Sequence, residues 1–278
     1  MRLQFDNKVL STFSLLIDHE IQNKGVAYTN YSGRFFPTPS NRAGLYAYAA
    51  PFKQLCNDTS ISGANVISGV YVNGNYVNIG QSGLYSINHY QGVAYFTGQF
   101  SSATTVSGRY AVKDVNVELT DHLESKLLFE TKHSKRPGFN TPITGLPIDT
   151  RTLPALYLKV KDTDAAPAAF GGIKDNKIKI RGTLMAENEF QRLAVCNILK
   201  NLTHTGFGVV DNTPFDYLGN YTGASYSFPN LNFRTDVNSL ITEVKASEIS
   251  WREADDMENL GNSYATIDFT ITTFMNPA

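Results

Sequence analysis

A serine set between glycines is the first place to look for a hydrolytic nucleophile, and Gly80-Gln81-Ser82-Gly83 offers one. A nucleophile elbow needs G-x-S-x-G between a strand and a helix, because the sharp turn lifts the hydroxyl clear of the sheet. Here the fifth position is Leu84 and the flanks are two short β-prone runs, so the spacing fails and a turn is expected. Nucleotide chemistry has no foothold either, since neither GxxxxGK[ST] nor GxGxxG occurs. The five histidines, His19, His89, His122, His133 and His204, have no second His or Cys at ligand spacing. Asp18-His19-Glu20 is a dense polar triplet, but sequence neighbours point to different sides of a helix, so it is expected to be a solvated helix face. Asp255, Asp256 and Glu258 lack the alternating oxygen ligands and central Gly of a calcium loop and are expected in a surface turn. The residues therefore predict no catalytic group, no metal, no cofactor and no enzyme.

Composition sets the wider frame. The chain has 278 residues, enough for one or two domains, and a formal net charge of -1. That balance gives no overall electrostatic pull toward nucleic acid or membrane, so any such contact must be local. Charged residues make up 18%, below the ~25% of an ordinary domain, and Asn, Thr, Ser, Gly and Tyr fill the difference. Uncharged polar surface with many aromatics suits proteins that bury faces against partners, and sugar-binding proteins share it. Cys56 and Cys196 cannot make a disulfide framework and are expected reduced. Asp6, Lys8 and Asp18 interrupt the apolar core a signal peptide would need, and no run approaches the ~18 apolar residues of a membrane span. Synthesis in a cytoplasm, without export or a membrane partner, is the expectation.

The elements that would position any site come next. Apolar residues at spacings of three and four from Asn7 to Lys24 predict a helix closed by Gly25. Val26 to Gly108 is rich in short β runs. Asn73-Gly74, between two β-prone triplets, is its strongest hairpin signal, and Gln91-Gly92 is a second turn. Five or six strands in a β-meander or small sandwich are expected there. Val112 to Leu119 reads as one strand, followed by a short helix begun by Asp121 and Glu124. Leu156 to Val160 reads as a strand and Ala165 to Asp175 as a small-residue loop. Lys177 to Asp211 then reads as strand, helix, strand: Ile178, Ile180 and Leu184 alternate with Lys179, Arg181 and Thr183, and Asn188 caps a helix. Phe190, Leu193, Ala194, Ile198 and Leu202 form that helix's predicted apolar stripe. Two closing strands, Leu240 to Trp251 and Ala265 to Phe274, flank the acidic tip.

The predicted fold class is α+β and strand-dominated. It has an N-terminal helix with a hairpin-rich region over residues 1–111 and a C-terminal mixed sheet packed by one or two helices over residues 112–278. Residues 131–154, with four prolines and a local basic group of Lys132, Lys135 and Arg136, read as an irregular extended segment, either a solvated connector or an arm laid on a neighbouring subunit or toward nucleic acid.

The strand at Leu156 to Val160, the loop Ala168-Ala169-Phe170-Gly171-Gly172, the unit from Ile178 to Leu202 and the final strands around Val244 and Phe269 together resemble the neck and tail-completion proteins of tailed bacteriophages. Tail terminators and head-tail connectors belong to this group. The resemblance implies a virion structural protein of the neck or tail that assembles with itself into a ring of six or twelve copies and docks on adjacent neck, connector or tail-tube proteins. Residues 131–154 would then be an inter-subunit arm. Lys132, Lys135, Arg136, Phe139, Lys179 and Arg181 would face a neighbouring subunit or the passage for packaged DNA. The alternatives are a carbohydrate-binding or receptor-binding tail module and an unrecognised hydrolase.

Overall fold

A computed structural model describes residues 5–127, 153–167, 174–210, 214–216, 221–249 and 263–275. Helix α1 (Phe5–Gly25) buries Val9, Phe13, Leu16, Ile17 and Ile21, the stripe its spacing predicted, and ends at the glycine expected to close it. Eight strands follow: β1 (Tyr28–Thr38), β2 (Tyr46–Ala49), β3 (Gly69–Val72), β4 (Asn75–Asn78), β5 (Leu84–Asn88), β6 (Val93–Phe96), β7 (Val106–Lys113) and β8 (Asn116–Leu119). After them come β9 (Ala155–Pro167), β10 (Lys174–Ala186), helix α2 (Glu189–Lys200), β11 (Gly206–Val210), β12 (Phe233–Glu248) and β13 (Ser263–Met275).

The result is a strand-dominated α+β fold with two sheets. The N-terminal sheet is antiparallel, nearly closes into a barrel, and has seven strands in the order β4-β3-β7-β1-β2-β6-β5. Strand β1 sits in its middle because it is long enough to serve two partners. Tyr28 to Phe35 pair with β7, and Phe36 to Thr38 turn onto β2. The Asn73-Gly74 signal does make the β3–β4 hairpin, with Val72 opposite Asn75 and both turn residues at positive φ, 49° and 84°. Phe35, Tyr48, Val70, Leu84, Phe96 and Tyr110 lie at the heart of the core inside this sheet.

The second sheet is mixed and curled, with order β11-β12-β13-β10-β9-β8; β8 alone runs parallel to its neighbour. Alternation puts Leu156, Leu158, Ile178, Ile180, Leu184, Ile267, Phe269 and Ile271 on one face, where both helices cover them in one apolar core. Three boundaries differ most from expectation. Strand β12 begins at Phe233, seven residues before the predicted Leu240. Residues 112–119 are not one strand: β7 and β8 belong to different sheets, joined by Asp114 and Val115. The small residues Ala165, Ala166 and Pro167 continue β9, because each lies opposite a residue of β10, in the pairs Ala165–Asn176, Ala166–Asp175 and Pro167–Lys174.

Helix α2 begins as predicted. Asn188 Oδ1 accepts from the Gln191 amide at 2.9 Å, and Gln191 Oε1 accepts from the Glu187 amide at 3.1 Å. Its buried side is another matter. Val195, Cys196, Leu199 and Leu202 enter the core, Ile198 packs at its margin, and Phe190 and Leu193 are 85% and 43% exposed. Both sets obey helical spacing, so periodicity alone could not choose between them. The fixed exit from β10 sets the rotation.

Candidate interaction face and the buried polar junction

Alternation that sends the isoleucines of β10 inward sends Lys177, Lys179 and Arg181 outward, onto the sheet face opposite α1 and α2. The antiparallel register then sets carboxylates across from them. Lys179 stands opposite Asp162 and donates to it at 3.1 Å, and Lys177 stands opposite Asp164. Arg181 grips Asp268 on β13 with two parallel bonds, Nε to Oδ1 at 2.7 Å and Nη2 to Oδ2 at 2.8 Å. Its Nη1 reaches Glu124 at 3.0 Å, tying helical residues 124–127 to the sheet. The Arg181 hydrogen bonds hold the Asp268 carboxyl below its ordinary pKa, against an opposing push from partial burial. Further along the face, Lys245 pairs with Glu243 at 2.7 Å.

Where residues 124–127 lean over β9 and β10 they leave a groove of about 520 Å³. Leu127 and Tyr157 form its apolar end, and Lys159, Lys161 and Arg181 its cationic side. Leu127 and Tyr157 belong to a cluster with Ala155, Met185 and Tyr264, against which Leu153 and Ile249 pack. Chain therefore leaves the described residues after Leu127 and returns at Leu153 beside one patch of apolar contacts. The structure thus brings Lys179 and Arg181 to one face, each already paired within the chain. Lys132, Lys135, Arg136 and Phe139, with the rest of the proposed arm up to Thr152, lie outside the described residues, as do Asp255, Asp256 and Glu258.

A second concentration of polar groups lies between the two sheets, where the sequence reading expected a solvated triplet. Asp18 is 5% exposed. Its Oδ2 accepts from Lys113 Nζ at 2.8 Å and from the Tyr226 hydroxyl at 3.3 Å. His19 stacks on Phe228 and bonds Asp58 Oδ2 through Nδ1 at 2.7 Å. Asp58, fully buried, also accepts from the Ser60 amide and hydroxyl and from the Phe228 amide. One carboxylate thus fastens α1, the loop after β2 and the segment before β12. A cavity of about 350 Å³ lies alongside, walled by Leu15, Asp18, Asn57, Lys113, Tyr221 and Tyr226 among others. The signal for this junction was present in α1, where Ser11, Ser14, Asp18 and Gln22 follow one another at helical spacing and are all buried. Nothing local marked Asp58 or Lys113 as their partners.

Burial alone would raise the Asp58 pKa, but the bonds from His19, Ser60 and Phe228 outweigh it and lower the value. A depressed carboxyl pKa adds stability above its unfolded value, and that stability is lost as pH falls through the folded pKa. Asp58→Asn should therefore cost stability near neutrality and progressively less as pH falls below the ordinary carboxylate range, flattening the acid limb of a denaturation-midpoint profile. A variant whose acid limb matches the parent's would remove Asp58 from that role.

Other reactive groups are structurally occupied. His89 is buried, its Nδ1 against the Gly223 carbonyl at 2.9 Å and its Nε2 against that of Ile67 at 3.0 Å. Both cysteines are free and buried, and burial pushes the Cys56 thiol up to about 12. Ser82, with φ 44°, lies in the exposed turn between β4 and β5, and no helix follows it. Among the described residues no group of three or more His, Cys, Asp or Glu side chains is placed to hold a metal ion, and no helix is long and apolar enough to cross a membrane. No protein-family model matches the chain, and no curated protein matches it at a significant level.

Proposed function

We propose that this chain is a non-enzymatic structural subunit of a tailed-phage virion, one that joins copies of itself into a ring at the neck or at the head-tail or tail-tube junction. The observation carrying this reading is the outer face of the six-stranded sheet. It is built from four long neighbouring strands, it lies opposite the helices, and its charges are held in defined cross-strand pairs. Pre-ordered side chains lose little freedom on docking, so such a face suits a repeated rigid contact. Leu127 and Leu153, the described residues flanking 128–152, pack in one cluster with Tyr157 and Tyr264, and an arm reaching a neighbour would start there. The likeness to neck and tail-completion proteins points the same way.

Negative-stain microscopy and light scattering on the purified protein test the reading. Rings of defined symmetry are the expected result. A monomer at every accessible concentration, or a trimer that binds glycans, would replace it with the receptor-binding alternative.

A further inference from the structure

Each long outer strand of the six-stranded sheet is covered over only part of its length. Strand β8 pairs with β9 from Ala155 to Leu158, and the Thr120 amide closes that ladder on the Leu158 carbonyl. Strand β11 pairs with β12 as far as Leu240, and His204 and Thr205 hold Ile241 beyond it. A bulge follows each cover, at Lys161 in β9 and at Thr242 in β12. Past the bulges, residues 162–167 pair with β10 and residues 243–248 with β13, and among the described residues no backbone group bonds their other side. Asp162, Thr163 and Asp164 are exposed, as are Glu243, Lys245, Ser247 and Glu248. A row of open N–H and C=O groups on an extended strand is a template for another strand.

The two open stretches match each other. Strands β9, β10, β13 and β12 alternate in direction, so the stretches run oppositely on opposite sides of the sheet. They also lie at opposite ends, residues 162–167 level with 174–179 of β10 and residues 243–248 level with 179–184. A second copy in the same orientation, shifted along the strands, therefore brings its β9 antiparallel to the first copy's β12. The covers do not collide, because β8 of one copy and β11 of the other lie past opposite ends of the contact.

We infer that residues 243–248 of one copy take residues 162–167 of a second copy as an added antiparallel strand, in a head-to-tail contact. The pairing follows from the edges, and its closure into a ring rests on the ring-subunit reading. Asp162 and Asp164 point outward, as do Glu243, Lys245 and Ser247, so the two faces match only where even-numbered residues of β9 meet odd-numbered residues of β12. Charge then chooses among the matching registers. Asp164 has no ion pair among the described residues, and Lys245, 68% exposed, is paired only with its own strand's Glu243. Setting these two opposite each other puts Asp162 opposite Ser247. A slip of two residues one way sets Asp164 against Glu243, and a slip the other way leaves Lys245 with no carboxylate across from it. In the chosen register the second copy's Asp164 stands level with the first copy's Lys159, through the row Lys245, Asp268, Arg181 and Lys159. Each copy thus steps five residues, about 17 Å, along the strands for about 19 Å across four of them. Copies related by rotation alone then have strands inclined at about 40° to the axis, within the range of closed sheets.

Cysteine pairs in the full chain test the contact, the native Cys56 and Cys196 being buried. Under mild oxidation Asp162→Cys with Ser247→Cys should give a ladder of covalent dimers, trimers and larger species on a denaturing gel. Asp162→Cys with Lys245→Cys, the slipped register, should not, and neither single variant should link. Lys245→Glu should raise the concentration needed for assembly about tenfold, the scale of turning an attractive cross-strand pair repulsive, and adding Asp164→Lys should restore it. Circular dichroism checks that each variant folds. Absence of the ladder would overturn the inference, as would equal linking in the slipped register, dimers from either single cysteine, or no rescue by the double reversal. Microscopy of the same preparations separates the two readings: rings without the ladder remove the edge contact alone, and a ladder without rings removes the ring reading alone.

Discussion

Replacing Phe13 by alanine is expected to lower the stability of the whole fold by about 3–5 kcal/mol, the range for truncating a fully buried phenylalanine. Phe13 is 0% exposed and lies at the centre of the C-terminal core. Its ring meets Phe269 edge-on at 4.9 Å and Phe207 at 6.0 Å, so one side chain from α1 touches both β13 and β11. A cavity there has rigid strands on two sides and little freedom to collapse, which favours the upper half of the range. Chemical denaturation followed by far-UV circular dichroism measures it. The exposed Phe190 is the control, and Phe190→Ala should change stability by no more than about 0.5 kcal/mol. Equal effects for the two would mean that α1 does not hold the sheet.

Those two phenylalanines also show how far sequence reasoning reaches. Phe13 was readable because α1 has one continuous apolar stripe and a glycine to end it. Phe190 was not. Helix α2 carries two apolar sets at helical spacing, and only its attachment to β10 decides which is buried. The long strands were legible wherever one face is apolar and the other polar, as at Ile178 to Leu184 and Ala265 to Ile271. Register supplied the rest: that Arg181 would face Asp268, eighty-seven positions away, follows from strand pairing and not from any local signal. The burial of Asp18 is illegible locally for a related reason. Its triplet looks solvated until a second sheet, arriving through Lys113, closes over it.

The second large effect concerns assembly. Deleting Lys132 to Thr152 should leave a folded protein that no longer forms rings. The described residues on either side, Leu127 and Leu153, pack in one cluster, so a short Gly-Ser linker should bridge the gap without disturbing the sheet. Circular dichroism and thermal unfolding should match the parent, while light scattering should report a monomer. Rings unchanged by the deletion would refute an arm in these residues and leave the sheet as the remaining contact. Unfolding on deletion would show instead that the segment completes the core.

The passage from β7 to β8 has a mechanical consequence. Two residues, Asp114 and Val115, connect a strand in the middle of one sheet to the edge strand of the other. They are firmly seated: the Asp114 amide donates to the Ala27 carbonyl, its carboxylate accepts from Thr29, and Val115 sits in the C-terminal core. Because β8 runs parallel to β9, tension along β7 would pull β8 lengthwise against its neighbour, loading their hydrogen bonds together in shear and not one at a time as in a zipper. The Asp58 and Asp18 bonds form a second strut beside that link. A chain built this way passes load between its two sheets without a hinge.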